Sequence, residues 1–397
     1  MDPLTHLAAG VVCARLLPGP SRAWSAVAGV IFALLPDVDY FLVFWDRLAF
    51  LQHHRGITHS LLAIPLLALL GAGLGRALGG PRWFRPLFFL GLAVLTSHVL
   101  LDLATSYGTQ ILNPLSTRRF SLDLVFIIDP WLTSLLLLGA GWTLFGPSAW
   151  GRRAAVASLL ATTGYLLICG LYQQQAQTLA RGLWPLGTPE GIKVAALPQP
   201  LSCRRWHLLA DDGRQIREAF VELPIGSVFG AAAGGRGGRP EGAATANPPQ
   251  GHEAGVKYQS PPNLAVRTWT PAQAGPLTYS PEAREILARF LEFARFPLLH
   301  RVRPQGRGQE QEWLDLRFHV PDRALPFVLR LGLDGSGRLQ GWAIGGVGKT
   351  AKSYGRKVLD FQSQLRAYGQ RLLGRPARPG AYAAGAGEGK KDSWAAR

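Results

Sequence analysis

Cysteine is scarce in this 397-residue chain: Cys13, Cys169 and Cys203 stand far apart. Three scattered thiols exclude a disulfide framework and a Cys-ligated zinc site. Lysine is missing from the first 192 residues, and all seven fall at or after Lys193. The start, Met1-Asp2-Pro3 with His6 close behind, has neither a basic n-region nor a small-residue cleavage site, so no removable signal peptide is expected. The formal charge of +17 comes without any motif that reads DNA or RNA, and nucleic acid is not expected as a partner. Its arginines sit instead in short loops between apolar runs, a membrane pattern.

Charge is nearly absent from four stretches of about the 20 residues that a bilayer core requires. They are Ile57 to Gly75, Pro86 to Ala104, Pro130 to Trp150 and Ala154 to Tyr172. Soluble helices of that length would show a charged outer face, and these do not. Upstream, Leu4 to Leu17 and Ala23 to Leu35 are apolar but short, and Pro18-Gly19-Pro20 between them marks a helical hairpin, re-entrant or packed on the spans. Following the chain through these segments puts Arg15, Arg22, Arg76, Arg82, Arg85, Arg152 and Arg153 on one side and Arg47, Arg55, Arg118 and Arg119 on the other. By the positive-inside tendency the first side is the cytoplasm, and the chain is expected to cross the membrane several times.

Composition changes after residue 175. Residues 1–175 are read as an all-α helical membrane domain and 176–372 as a small α+β domain outside the cytoplasm. Arg204 to Ala210 and Gln215 to Leu223 flank the turn Asp211-Asp212-Gly213 as a β-hairpin. Ser280 and Pro281 start a helix with the stripe Ile286, Leu287, Phe290 and Leu291. Trp313 to Val320, Phe327 to Leu333 and Arg338 to Ile344 suggest a meander. Residues 226–262, rich in Gly, Ala and Pro, are read as a flexible insertion, and 373–397 as a disordered tail.

Histidine is concentrated instead: five of nine, His6, His53, His54, His59 and His98, lie in the first quarter of the chain, with aspartates beside them. His98 and Asp102 are four apart and share a helix face inside an uncharged span. An unpaired aspartate at a helix centre costs about 2.5–3.5 kcal/mol on insertion scales, so a partner or bound cation is expected. Imidazole and carboxylate together suit zinc or manganese. His6, Asp37, Asp39, His54, His59, His98 and Asp102 all fall toward one end of their segments and are the candidate metal ligands. His53 is the bystander, and Thr58 and Ser60 also suit the cap of the following helix.

The ordered pieces are Thr5-His6, Pro36-Asp37-Val38-Asp39, His54-Arg55-Gly56-Ile57-Thr58-His59-Ser60, His98-x-x-x-Asp102, Thr105-Ser106-Tyr107-Gly108-Thr109 and Asn113-Pro114. Together they resemble a bacterial family of predicted membrane-bound metal-dependent hydrolases, over about the first 175 residues. The resemblance implies an inner-membrane location and a hydrolytic activity of undefined substrate. A more distant likeness is to the zinc-dependent phospholipases C. It implies one or two zinc ions, with His98 and Asp102 as the closing pair, Asp102 as a bridge, His6 as the early ligand, Asp37 or Asp39 as the isolated aspartate, and His54 or His59 as the middle histidine. No further histidine follows until His207, which departs from the phospholipases and leaves no third metal position.

The mechanism expected from these groups is attack by metal-activated water on a phosphoester or lipid substrate at the membrane interface. Asp37 and Asp39 are the catalytic candidates, one as ligand and the other as proton acceptor. Arg55, Arg118, Arg119 and Asp129 are candidates for contact with substrate, although interfacial snorkelling explains the arginines equally well. The rival expectation is a non-enzymatic membrane protein with a structural metal and a C-terminal binding module. Two look-alikes are set aside. Ala343 to Thr350 imitates a phosphate loop but follows a meander strand, and the His98 to Asp102 spacing is one residue short of the lipid acyltransferase motif.

Overall fold

A computed structural model describes residues 1–345 apart from 18, 20, 45, 185–191, 228–256, 275–277 and 324. Helix α1 (Pro3–Leu16) starts where Asp2 accepts from Thr5 N at 3.0 Å with Pro3 in the first turn. Ser21 caps α2 (Arg22–Leu34) in the same way, through Trp24 N at 3.2 Å. The two helices pack with Gly10 against Gly29. A Cβ on either residue would collide with the other's carbonyl oxygen, so only glycine permits this approach. Pro36–Phe44 then forms a 3-10 helix, followed by α3 (Arg47–His53), a short 3-10 turn at Ile57–His59, and α4 (Ala63–Gly79). Helices α5 (Phe84–Leu103), α6 (Pro130–Phe145) and α7 (Ser148–Leu183) complete the N-terminal region.

Among the described residues, two helical stretches are long and apolar enough to cross a membrane, Pro81–Leu103 and Ser148–Leu183. The count rises to four if two bent pairs each make one span: Arg22–Leu34 with Pro36–Phe44, bent by 50°, and Arg47–His59 with Ala63–Gly79, bent by 70°. Leu66, Leu70, Leu74 and Leu78 on α4 and Leu160 and Leu167 on α7 are exposed, a surface suited to lipid.

Three expected spans have different limits. Ile57 to Gly75 opens on the 3-10 turn Ile57–His59, and its α-helix covers only Ala63–Gly79. The stretch Pro130 to Trp150 breaks at Gly146-Pro147, because proline resists helix continuation from the preceding residue, so α6 has only 16 residues. Helix α7 does not stop near Tyr172. Gln173, Gln174 and Gln175 are good helix formers, and Tyr172, Ala176 and Ala180 pack on the following sheet, so the helix runs to Leu183.

The C-terminal region has two antiparallel four-stranded sheets. The first orders β1 (Lys193–Gln199), β2 (Ser202–Asp211), β3 (Ile216–Glu222) and β4 (Arg267–Trp269). The second orders β5 (Pro297–Gln305), β6 (Gly308–Asp315), β7 (Val328–Leu333) and β8 (Leu339–Gly345). The β2–β3 hairpin and the β6–β8 meander match the expectation. Strand β6 ends at Asp315 rather than Val320, because the Asp315 carboxylate accepts from Arg317 N at 3.1 Å and starts a 3-10 turn. The phosphate-loop look-alike begins on β8, which pairs with β7 at the end of this sheet, and its residues 346–350 lie outside the described set.

Most of the expected insertion 226–262 and all of the tail 373–397 also lie outside the described residues. The described end of the insertion is not free chain: Gln259 bridges Val221, and its backbone bonds Phe220 and Glu222.

Helix α8 (Pro281–Phe293) turns Ile286, Leu287, Phe290 and Phe293 into a core shared with Leu48, Phe50, Leu51 and Tyr107 of the N-terminal region. Around it, Arg317 Nη1 donates to Tyr107 O at 2.8 Å, Arg295 Nη1 to Asp123 Oδ2 at 2.7 Å, and Arg47 Nη1 to Ile344 O at 2.9 Å. The sheet domain therefore docks on the end of the helices where the histidines gather.

Candidate metal centre

Each donor reaches this end by a local device. The Asp2 cap places His6 in the first turns of α1, and α5 presents His98 and Asp102 one turn apart. The turn His54-Arg55-Gly56 swings the chain from α3 toward His59. Arg55 has a φ of +59°, an unusual conformation for a side-chain-bearing residue, and Asp39 Oδ2 accepts its N–H at 3.0 Å. At Gly56 a Cβ would lie 2.5 Å from His53 O, so the turn requires glycine.

Four donor atoms form the centre: His59 Nε2, His98 Nε2, Asp37 Oδ1 and Asp102 Oδ2. His59 Nε2 lies 3.2 Å from His98 Nε2, 3.4 Å from Asp37 Oδ1 and 3.3 Å from Asp102 Oδ2. His98 Nε2 lies 3.7 Å from Asp37 Oδ1 and 3.5 Å from Asp102 Oδ2. A tetrahedral ion with bonds of about 2.0–2.1 Å separates its ligands by about 3.3–3.4 Å, and these five separations bracket that length. Asp37, His59 and His98 make one set with donor atoms within 4.8 Å of one another, and His6, His98 and Asp102 another.

The far nitrogens of both rings are anchored. His98 Nδ1 is 2.8 Å from Ala33 O, which requires a proton on Nδ1 and turns the Nε2 lone pair toward the other donors. His59 Nδ1 is 2.9 Å from Thr58 Oγ1 and 3.5 Å from Asp39 Oδ2. Asp102 Oδ2 is buried without a hydrogen-bond partner, a state that a cation would relieve. These residues fit a divalent ion such as zinc.

The remaining candidates divide clearly. His6 borders the four: its ring stacks on His98 with centroids 3.6 Å apart, and its Nε2 is 3.3 Å from Asp102 Oδ1. Both His6 nitrogens are buried without a hydrogen-bond partner, so this ring is a further donor on the Asp102 side. Asp37 and Asp39 have different surroundings. Asp39 sits behind the centre and accepts from Arg55 N and from Thr58 Oγ1, each at 3.0 Å, while Asp39 Oδ1 is 2.8 Å from His54 Nδ1. His54 is thereby drawn to Asp39 rather than to the four donors.

Arg55 is at the centre, its Nη2 2.9 Å from Asp102 Oδ1, where the N-terminal amine also pairs. Arg119 is not. Its guanidinium donates to the carbonyls of Leu51, Gln52, His54 and Gly108 and ties α3 to the following loop. Burial lowers the Arg119 pKa to about 10. Arg118 is exposed beside the Phe120 ring. The Asp129 carboxylate caps α6 through Trp131 N and Leu132 N and accepts from Tyr165 Oη at 2.9 Å.

Sequence reasoning missed Ala33 O, since a carbonyl leaves no trace in residue type, and Tyr107. The Tyr107 ring lies under Arg55, 4.9 Å from its guanidinium, and burial pushes its pKa to about 12. The pattern Thr105 to Thr109 was a signal for this loop: Thr105 Oγ1 accepts from Arg55 Nη1 at 2.8 Å. Of the two suggested cap residues, Ser60 accepts from Ala63 N at 3.1 Å at the start of α4, whereas Thr58 serves Asp39 and His59.

Residues 1–176 match the family described as YdjM inner membrane protein. The chain is 27% identical over 140 residues to the uncharacterized protein YfhP of Bacillus subtilis (strain 168), covering 33% of this chain and 43% of YfhP. It is 40% identical over 102 residues to the inner membrane protein YbcI of Escherichia coli (strain K12), covering 23% of this chain and 55% of YbcI. The chain thus spans about half the length of the curated relatives it matches. No solved structure matches it. The family match and the apolar helices place the protein in a membrane.

Proposed function

We propose that this protein is a membrane-bound metal-dependent hydrolase acting on a phosphoester or lipid-like substrate at the membrane interface. The observation that carries the reading is the set of four donors at coordination spacing, with both imidazoles anchored from behind. Zinc is the ion that fits best, with manganese as the alternative, and a second ion at His6 would have to displace Arg55 or the N-terminal amine from Asp102 Oδ1. A divalent ion bound by His59, His98, Asp37 and Asp102 would supply Lewis-acid chemistry, lowering the pKa of water toward 7.

The chain's own groups then divide the work. Asp37 is the most exposed of the four, its side chain 17% accessible; with Oδ1 turned to the ion, its second carboxylate oxygen is the proton acceptor on the open side. Asp39 positions His59 and His54. Arg55 balances Asp102 and holds charge near the reacting centre. Val38, Tyr40 and Phe41 are exposed beside Asp37, which favours a substrate with an apolar part arriving from the bilayer side. The test assays the purified protein on phosphodiesters and phospholipids with zinc or manganese present. Asp37→Asn is expected to abolish turnover while some metal remains bound.

A second reading has one observation in its favour: the His59, His98 and Asp102 side chains are almost fully enclosed, as in structural sites. Under it Asp37→Asn changes only metal affinity and stability, and the parent turns over nothing. We also infer a multi-pass topology with the centre and the sheet domain outside the cytoplasm, from the seven-to-four arginine asymmetry. A reporter active only outside the cytoplasm should work when fused after Leu183 and fail when fused at Gly80. The reverse pattern turns the centre inward.

A further inference from the structure

We propose that His207, Glu218 and His319 form a second divalent-metal site, of the zinc class, at the seam between the two sheets of the C-terminal region. The proposal does not rest on hydrolysis at the first centre. His207 on β2 pairs with Phe220 on β3, which makes Glu218, two residues earlier on β3, its diagonal neighbour on the same face. His319 comes from the other sheet, directly after the 3-10 turn that Asp315 caps. His319 is 101 residues from Glu218, yet the donor atoms of all three residues lie within 4.8 Å of one another.

The set is built rather than superficial. The side chains of His207 and Glu218 are 0% and 1% exposed, and that of His319 is 13% exposed, which leaves a narrow approach at one edge. Phe220 stacks on His207 with centroids 4.4 Å apart, and Gln199 Nε2 holds the His319 carbonyl at 3.3 Å. Glu218 Oε2 is 2.9 Å from both His207 Nε2 and His319 Nδ1. Hydrogen bonds alone leave this network incomplete. Glu218 Oε1 is buried without a hydrogen-bond partner, and the nearest cation, Arg267 Nη1, is 3.7 Å away. Leaving such an oxygen unsatisfied is unfavourable, and a cation between the carboxylate and the two rings removes that penalty.

Two imidazoles and one carboxylate are a zinc-type donor set that leaves a fourth position for water. Opening the two 2.9 Å contacts to the ligand separation of about 3.3–3.4 Å requires ring movements of only a few tenths of an ångström. His207 Nδ1 has no partner, so this ring lacks the outer anchor that fixes His59 and His98. Missing outer-shell bonds of that kind weaken metal sites by roughly 10–100-fold, so the second site should fill after the first.

The experiment uses the full chain in detergent, stripped with chelator and titrated with zinc and then with cobalt(II). The parent should bind ions in a tight and a weaker class. His319→Ala, at the least buried of the three positions, should lower the total by one ion per chain and remove the weaker component of the cobalt absorption. The tight class, retained in that variant, reports that the protein is folded. His300→Ala, whose ring sits across Trp269 from His319, should change neither class. Glu218→Gln should match His319→Ala. An unchanged ion count and cobalt spectrum in His319→Ala would overturn the proposal, whereas a parent with a single class that His319→Ala removes would count against the first centre instead.

Discussion

The two histidine clusters are built from the same chemistry and held in opposite states. In the membrane region the His59 and His98 nitrogens stand 3.2–3.7 Å from each other and from Asp37 and Asp102, with their rings tied from behind to Ala33, Thr58 and Asp39. In the sheet domain Glu218 has drawn both rings to 2.9 Å, and His207 has no tie behind it. The difference lies in the outer shell. Anchored rings cannot collapse onto a carboxylate, so the first cluster keeps coordination spacing, whereas unanchored rings close into hydrogen bonds.

The comparison can be broken at its strongest point. His98→Ala with Asp102→Ala removes two of the four donors. The tight ion should fall from about one per chain to near zero by elemental analysis of protein purified without chelator. Unchanged content would dissolve the centre as drawn. A subtler change acts from behind: Asp39→Asn leaves all four donors but weakens the hold on His59. Metal affinity in a competition titration should drop by about 10–100-fold while stoichiometry at saturation persists. A loss as complete as that of the double variant would make Asp39 a ligand.

Gly56→Ala tests whether backbone geometry sets the spacing. The added Cβ meets a carbonyl oxygen of the chain itself, so the protein should lose about 1–3 kcal/mol of stability, read from its denaturation midpoint with and without zinc. An unshifted midpoint would show that the turn has slack. At the small end, Arg118→Ala should alter stability by less than about 0.5 kcal/mol and leave metal binding unchanged, because the residue is exposed and away from the donors.

The first cluster was legible because its pieces are short and dense. His54-Arg55-Gly56-Ile57-Thr58-His59 and His98-x-x-x-Asp102 mark candidate donors by residue type and spacing, although His54 itself turns to Asp39. The division between Asp37 and Asp39 was not legible. The two residues lie on a 3-10 helix with three residues per turn, so a separation of two sends their carboxylates in different directions, and the sequence did not reveal that helix type. The role of Arg119 was hidden for another reason, since its partners are all backbone carbonyls.

In the sheet domain β2 and β3 flank a clear Asp-Gly turn and could be read. β1 and β5 were not, because Pro198 in one and Pro297 and Pro304 in the other are residues that usually argue against a strand. The second cluster depends on the β2–β3 register and on a loop 101 residues from Glu218, neither of which residue order reveals.

Helix α7 runs unbroken for 36 residues, about 54 Å at 1.5 Å per residue, and ends against β1 and β2. On the opposite flank Arg317 and Arg295 pin the same domain to Tyr107 and Asp123, beside Arg55. The domain therefore stands as an arch on two feet, one of them a lever rooted in the bilayer. A tilt of α7 is resisted at the other foot, on the loop that carries Tyr107. Mechanical load on the sheets, from a partner or from bilayer thickness, would be delivered to the ground beneath Arg55 and its aspartate.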